Sequence, residues 1–334
     1  MYKFGLKVKD ENVIKVLEFV AANNGVSRAE ISAGCGVSPK TVNKVLRLFL
    51  DKSLFVMSLK KEKTAAGQRP YRFRLNPNYN YVVCYFHDNL FRARLFNTDG
   101  RLKYNEFIRK YKIGLTFDDL KDFLVQTKEG CQKFHPAFCL GYAAVLPEKS
   151  LFGYDLSDPA SKGELTEKLE GMFADAVKPR RFFCDSGINF VSGLYPDAPA
   201  VLFFNLDYCE YSSALFKNGE RDDKTLAELK IPPREPEFLP NSDPIADEIA
   251  FVYMNAKERF GRFELHIDSR DYLNISGLAA TVRARLDAEK TSLTQPMECS
   301  DPRSPSTVDR GVEAVIMRSF LDDIAERIRE PEDL

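Results

Sequence analysis

Among the seven cysteines of the chain, at 35, 84, 131, 139, 184, 209 and 299, there is no Cys-x-x-Cys pair, and their number is odd. Neither a zinc cage nor a disulfide framework is indicated, and a reducing cytoplasm is the expected home. Histidine is scarce as well. His87, His135 and His266 are dispersed and suggest no ligand set, so no metal is expected. No stretch reaches the ~18 apolar residues needed to cross a bilayer, and the opening MYKFGLKVKDENVIK has no apolar run with a cleavage site. Secretion and membrane insertion are therefore not expected.

What is present describes a soluble protein with a sizeable core: 334 residues, 44% hydrophobic and 29% charged, enough for two or three folding units. The overall charge of −1 conceals a division. Residues 1–80 hold 15 Lys and Arg against 6 Asp and Glu, a net of +9, and the remainder holds 33 against 43, a net of −10. A cationic head favours a polyanion, because neutralising phosphates releases condensed counterions; the acidic remainder repels the same partner.

Within the head, Val13, Val16, Leu17 and Val20 recur at helical spacing, predicting an amphipathic helix that ends by Gly25. Ser27-Arg28-Ala29-Glu30 is a capping box that opens a short helix through Ala33, after which Gly34-Cys35-Gly36-Val37 is expected to turn the chain. Ser38 can cap a third helix with Pro39 at its first position, running to about Asp51. There Val42, Val45, Leu46 and Phe49 share one face, which turns Lys40, Thr41, Asn43, Lys44 and Arg47 outward. Two extended runs, 54–59 and 71–75, flank KKEKTAAGQRP, a hairpin tip carrying Lys60, Lys61, Lys63 and Arg69. Helix, short helix, turn, helix with a polar outer face, then a basic hairpin is the order of a winged helix-turn-helix over about 10–76, whose third helix reaches base edges in a major groove. Asn43 suits adenine, and Lys40 or Lys44 suits guanine or phosphate.

SRAEISAGCGVSPKTVNKVLRLFLDKSLF followed by GQRPYRFRLNP resembles the head of the repressor/ORF/kinase (ROK) family, with Gln68 where that family's wing has a second glycine. The resemblance continues through YVVCYFHDNLFRARLFNTDGRL, which alternates apolar and polar residues over two runs and ends in Asp99-Gly100. It also takes in strands expected at 137–146, 181–185, 201–206 and 212–216, a turn at Lys217-Asn218-Gly219, and a closing helix with Val312, Val315, Ile316 and Phe320 on one face. It implies an α/β chain: a winged helix-turn-helix (1–76) before a two-lobed, actin-like (ribonuclease-H-like) ATPase body. The first lobe is expected at 77–195 with 306–334 closing it, and the second at 196–305, serving effector binding and dimerisation.

The chemistry of that family's kinases is missing. Phosphate loops need glycine so that backbone amides can approach closely, yet the two corresponding places read Phe86-His87-Asp88-Asn89-Leu90 and Asp207-Tyr208-Cys209-Glu210-Tyr211. Only Asp185 matches the family's catalytic base, and its flanking asparagines are gone. The family's cysteine-rich zinc run is also absent, and KIPPREPEFLPNSDP stands where its sugar-contacting Glu-x-x-His segment would be. No catalytic residue, cofactor or metal is expected, and Asp185 is left as the one effector candidate. The reading is a cytoplasmic regulator that binds double-stranded DNA as a homodimer, its inactive body sensing a sugar or another small molecule. A carbohydrate kinase with an accessory head, and an interaction scaffold whose winged helix no longer touches nucleic acid, stay open.

Overall fold

The computed structural model describes residues 10–23, 25–59, 71–98, 102–134, 139–192, 194, 200–206, 211–230, 244–261, 263–268, 275–288 and 306–329. Three helices come first, α1 (Asp10–Ala22), α2 (Arg28–Cys35) and α3 (Pro39–Asp51), then the antiparallel strands β1 (Phe55–Leu59) and β2 (Tyr71–Leu75). Val26 exchanges both backbone hydrogen bonds with Phe73 of β2, at 3.0 and 2.8 Å, which ties the start of α2 to the hairpin. The expected apolar faces are the buried ones: Val13, Val16, Leu17 and Val20 on α1, and Val42, Val45, Leu46 and Phe49 on α3.

A five-stranded sheet follows, built from β3 (Asn80–His87), β4 (Leu90–Asn97), β5 (Leu102–Tyr111), β6 (Cys139–Leu146) and β9 (Phe182–Ser186). Between these strands lie α4 (Phe117–Phe134), the short hairpin β7 (Ser150–Leu151) and β8 (Tyr154–Asp155), and α5 (Pro159–Ala176); α6 (Gly187–Ser192) comes after. The strand order is β5-β4-β3-β6-β9, with β3, β4 and β5 antiparallel and β6 and β9 parallel to β3. The second sheet repeats the first four of these strands in the order β12-β11-β10-β13. It is formed by β10 (Val201–Leu206), β11 (Tyr211–Lys217), β12 (Glu220–Arg221) and β13 (Glu264–Asp268). Helices α7 (Asp223–Leu229), α8 (Pro244–Phe260) and α9 (Ile275–Ala288) accompany it, and α10 (Thr307–Arg329) returns to the first sheet. Asn218 and Gly219, both at positive φ, make the tight turn that joins β11 to β12.

The alternation read along β3 and β4 has a different cause from the one the sequence suggests. Every residue of both strands is buried, because the sheet is covered on two sides. Val82, Cys84, Phe86, Phe91, Ala93 and Leu95 pack under α4 and α5. The opposite side chains, Tyr81, Val83, Tyr85 and Phe96, face Val312 and Ile316 of α10 and Ile188 and Phe190 of α6. Arg92 and Arg94, which alternation assigns to solvent, lie on that second face and are buried, Arg92 over the Tyr85 ring and Arg94 against Asp309 of α10.

The head is not strung on a free tether. The core of α1, α2 and α3 runs on into the face of the first sheet covered by α10, and α1 itself touches α10. At the junction the Asn76 amide donates to the Leu54 carbonyl at 2.8 Å, and the Tyr79 ring lies 5.7 Å from that of Phe320. Among the described residues, no helix is long and apolar enough to cross a membrane.

Candidate nucleic-acid interface

Local chemistry fixes where α3 begins. The capping box closes at the start of α2: the Ser27 amide donates to Glu30 Oε2 at 2.6 Å and the Glu30 amide donates to Ser27 Oγ at 3.3 Å. The bond from the Ser27 amide, with the Ser27 hydroxyl beside it, holds the Glu30 carboxyl below its ordinary range, helped by Arg72, whose Nη1 sits 3.0 Å from Oε2. Arg72 also donates to the Gly25 carbonyl at 2.8 Å, so one side chain of β2 pins the entry to α2. The expected turn is shorter than its sequence suggested. Gly34 and Cys35 complete α2, and the reversal falls on Gly36, whose left-handed φ of 63° lets its amide reach the Ser32 carbonyl.

Ser38 then caps α3, accepting from the Thr41 amide at 3.2 Å, with Pro39 in the first turn. Lys40, Asn43, Lys44 and Arg47 are exposed on α3 opposite its buried face, and Ser38 is exposed at its start. Thr41 differs from expectation: it is half-buried, and its hydroxyl lies 3.0 Å from Ser38 Oγ, within the cap rather than on the open face. Lys60, Lys61, Lys63 and Arg69 lie outside the described residues. Arg28, which sequence reasoning passed over as part of the capping box, is exposed at the head of α2 with its guanidinium 5.5 Å from the centroid of the Phe73 ring. A basic residue directly after a capping serine was the signal for it.

In the body, Asp185 stands at the end of β9, where the kinase-like resemblance puts a base. Its Oδ1 accepts from Lys162 Nζ at 2.5 Å, from Asn189 Nδ2 at 2.8 Å and from the Ser186 amide at 2.8 Å. A general base needs a lone pair directed at an incoming hydroxyl, and one of the two oxygens of this carboxylate is committed to three donors. The first-hairpin turn, Asp88-Asn89, is likewise occupied: Asp88 Oδ1 accepts from the Phe152 amide at 3.3 Å, and the Asp88 and Asn89 carbonyls take the Leu115 and Lys112 amides, both at 3.1 Å. Of the corresponding stretch in the second sheet, Asp207 to Glu210 lie outside the described residues, as do Asp99-Gly100, His135 and the proline-rich stretch 232–240. The described thiols are free and poorly suited to nucleophilic work, since burial pushes Cys131 up to about 11 and Cys139 and Cys184 up to about 12.

Among solved structures, a ROK family transcriptional regulator described as a homologue of the E. coli MLC protein superposes with a TM-score of 0.52 at 12% identity. That match covers 94% of this chain and 99% of that one. The fold is a ROK fold. Two enzymes superpose less closely. The inorganic polyphosphate/ATP-glucomannokinase of Arthrobacter sp. strain KM gives a TM-score of 0.43 at 12% identity over 72% of this chain and 99% of its own. The ROK hexokinase of Thermus thermophilus gives 0.43 at 9% over 73% and 99%. No protein-family model matches the chain, and no curated protein matches it in sequence. In the terms of the ROK fold, the first sheet with α4, α5 and α10 is one lobe and the second sheet with α7, α8 and α9 is the other, with α6 packed between them.

Proposed function

We propose that this chain is a ROK-type transcriptional regulator that binds double-stranded DNA through a winged helix-turn-helix (residues 1–76). On this reading the body consists of a first lobe at 77–195, closed by 306–334, and a second at 196–305; it makes the homodimer, senses a sugar or another small molecule, and has no catalytic role. The observation that carries the reading is α3. Lys40, Asn43, Lys44 and Arg47 stand exposed over a fully buried backing of Val42, Val45 and Leu46, a cationic and amide-bearing face with the chemistry of major-groove readout. The +9 charge of the first 80 residues supports it, as does a structural likeness that spans almost the whole chain.

A dimer presents two such faces, so the site is a pseudo-palindrome with half-sites a helical turn or a multiple apart. Electrophoretic shift with promoter DNA from the protein's own genomic neighbourhood tests this. A complex that weakens steeply as salt is raised, and is abolished by Lys44→Glu with Arg69→Glu, is the expected result; unchanged affinity in that double variant removes the proposal. The position of Asp185 at a strand end keeps a second reading, carbohydrate kinase, on the table. Its test is ATP turnover over a panel of sugars, and none is expected with Lys162 seated on the carboxylate.

A further inference from the structure

The polar residues around Asp185 do not stop at the edge of the first lobe. Asn189 on α6 gives its amide to Asp185, and its Oδ1 faces Nη1 of Arg221 at 3.5 Å. Arg221 belongs to β12, in the other sheet. The same Nη1 lies 3.3 Å from Oε2 of Glu148, in the connection between β6 and β7 of the first lobe. Lys162, Asp185, Asn189, Arg221 and Glu148 thus form one continuous polar chain drawn from α5, β9, α6, β12 and the β6–β7 connection. Both ends of the crossing pair are largely shielded, with Arg221 30% and Glu148 20% exposed, so the attraction is less screened than on an open surface. The Arg221 guanidinium is held in register by Asp223 of its own lobe, whose Oδ1 lies 2.7 Å from Nε. Beneath this chain, α6 is packed against β11 and β12.

We propose that Arg221, Glu148 and Asn189 form a built-in latch that fastens the two lobes to each other beside Asp185, so that their contact there is set by the protein's own charged side chains. The carboxylate that the fold would offer to a substrate serves here, through Lys162 and Asn189, to position the latch. This holds whatever the head binds.

Hydrogen exchange on the full-length protein tests it, with far-UV circular dichroism as the check on folding. The readout is amide exchange in α6 (Gly187–Ser192) and β11–β12 (Tyr211–Arg221). Arg221→Glu and Glu148→Arg are each expected to speed exchange there by roughly tenfold, the factor that corresponds to losing about 1.4 kcal/mol of a charge-assisted contact. The double variant Arg221→Gln with Glu148→Gln is expected to exchange within about twofold of either Gln single variant, because both singles already lose the same contact. Arg259→Gln, which loses an ion pair with Glu228 inside the second lobe and touches no latch residue, is the control and leaves α6 exchange unaltered. If charge reversal prevents folding, Arg221→Gln and Glu148→Gln give the same comparison. Single variants that exchange like wild type, or a double Gln variant whose effect is the full sum of the two singles, overturn the latch.

Discussion

Asp309, in the first turn of α10, lies 2.6 Å from Nη1 of Arg94 on β4, with the two side chains 0% and 2% exposed. The other oxygen of Asp309 accepts from the Tyr85 hydroxyl at 2.5 Å, and the Ser306 amide donates to the oxygen shared with Arg94 at 2.8 Å. The pair is 215 residues apart in sequence and seats the closing helix on the first sheet. Burial, and then the same carboxylate, push the Tyr85 phenol far above its ordinary range, which keeps it a donor.

Removing one partner of so deeply buried a pair strands the other charge. Asp309→Ala is expected to lower stability by about 3–5 kcal/mol, whereas Arg94→Met with Asp309→Leu loses much less, because no charge is left unpaired. Urea unfolding of the three proteins measures both; equal losses in the single and double variants would falsify the assignment.

Farther along α10, a Cβ on Gly311 would stand 2.3 Å from the Phe190 carbonyl oxygen on α6, so the two helices meet backbone to backbone. Gly311→Ala is expected to push α10 off α6 and destabilise by more than ~1 kcal/mol. Gly171→Ala on α5, where a Cβ meets nothing within 4 Å, is expected to stabilise by about 0.5–1 kcal/mol, the usual helical cost of glycine. Thermal unfolding separates the two signs.

On α3 the proposed contacts divide by kind. Lys40→Ala is expected to weaken binding about equally on all sequences and reduce the salt slope by about 1, and Asn43→Ala to cost about 1–3 kcal/mol at one base pair while leaving the slope alone. Binding titrations at several salt concentrations on operator and scrambled DNA check this. An Asn43→Ala protein with undiminished sequence preference would remove that residue from base readout.

Acid should loosen the head at one place first. Glu30 has a depressed carboxyl pKa, so its contribution is fully present above the unfolded value of about 4.3 and is lost as pH falls through the lower folded value. Protection of the Ser27 amide against exchange, relative to its intrinsic rate at each pH, should fall from pH 5 downward, and Glu30→Gln should flatten the dependence. A wild-type profile as flat as the variant's would show that the carboxylate does not hold the cap.

Much of the head was legible because its signals are local. A capping serine and a proline in the first helical turn act within four residues, so Ser27, Ser38 and Pro39 could be placed from spacing alone. The error there was one of extent: nothing local told that α2 continues through Gly34 and Cys35. The body was less readable. The strands at 201–206 and 211–217 came out close to their expected bounds, but α4, α5, α8 and α9 were not anticipated, and neither were Lys162, Glu148 and Arg221 around Asp185. Those three sit in unrelated stretches of sequence, and nothing in any of them records the others.

What the sequence determined by itself is short-range: which face of α3 is apolar, where its helices are capped, and that the positive charge is gathered in the first 80 residues. Tertiary structure alone decided that both faces of β3 and β4 are covered, that Arg94 is buried against Asp309, and that Arg221 of the second sheet meets Glu148 and Asn189. Periodicity and capping depend on neighbours a turn or a pleat away, whereas the second face of a sheet and the partner of a buried charge are supplied by segments that only the folded chain brings together.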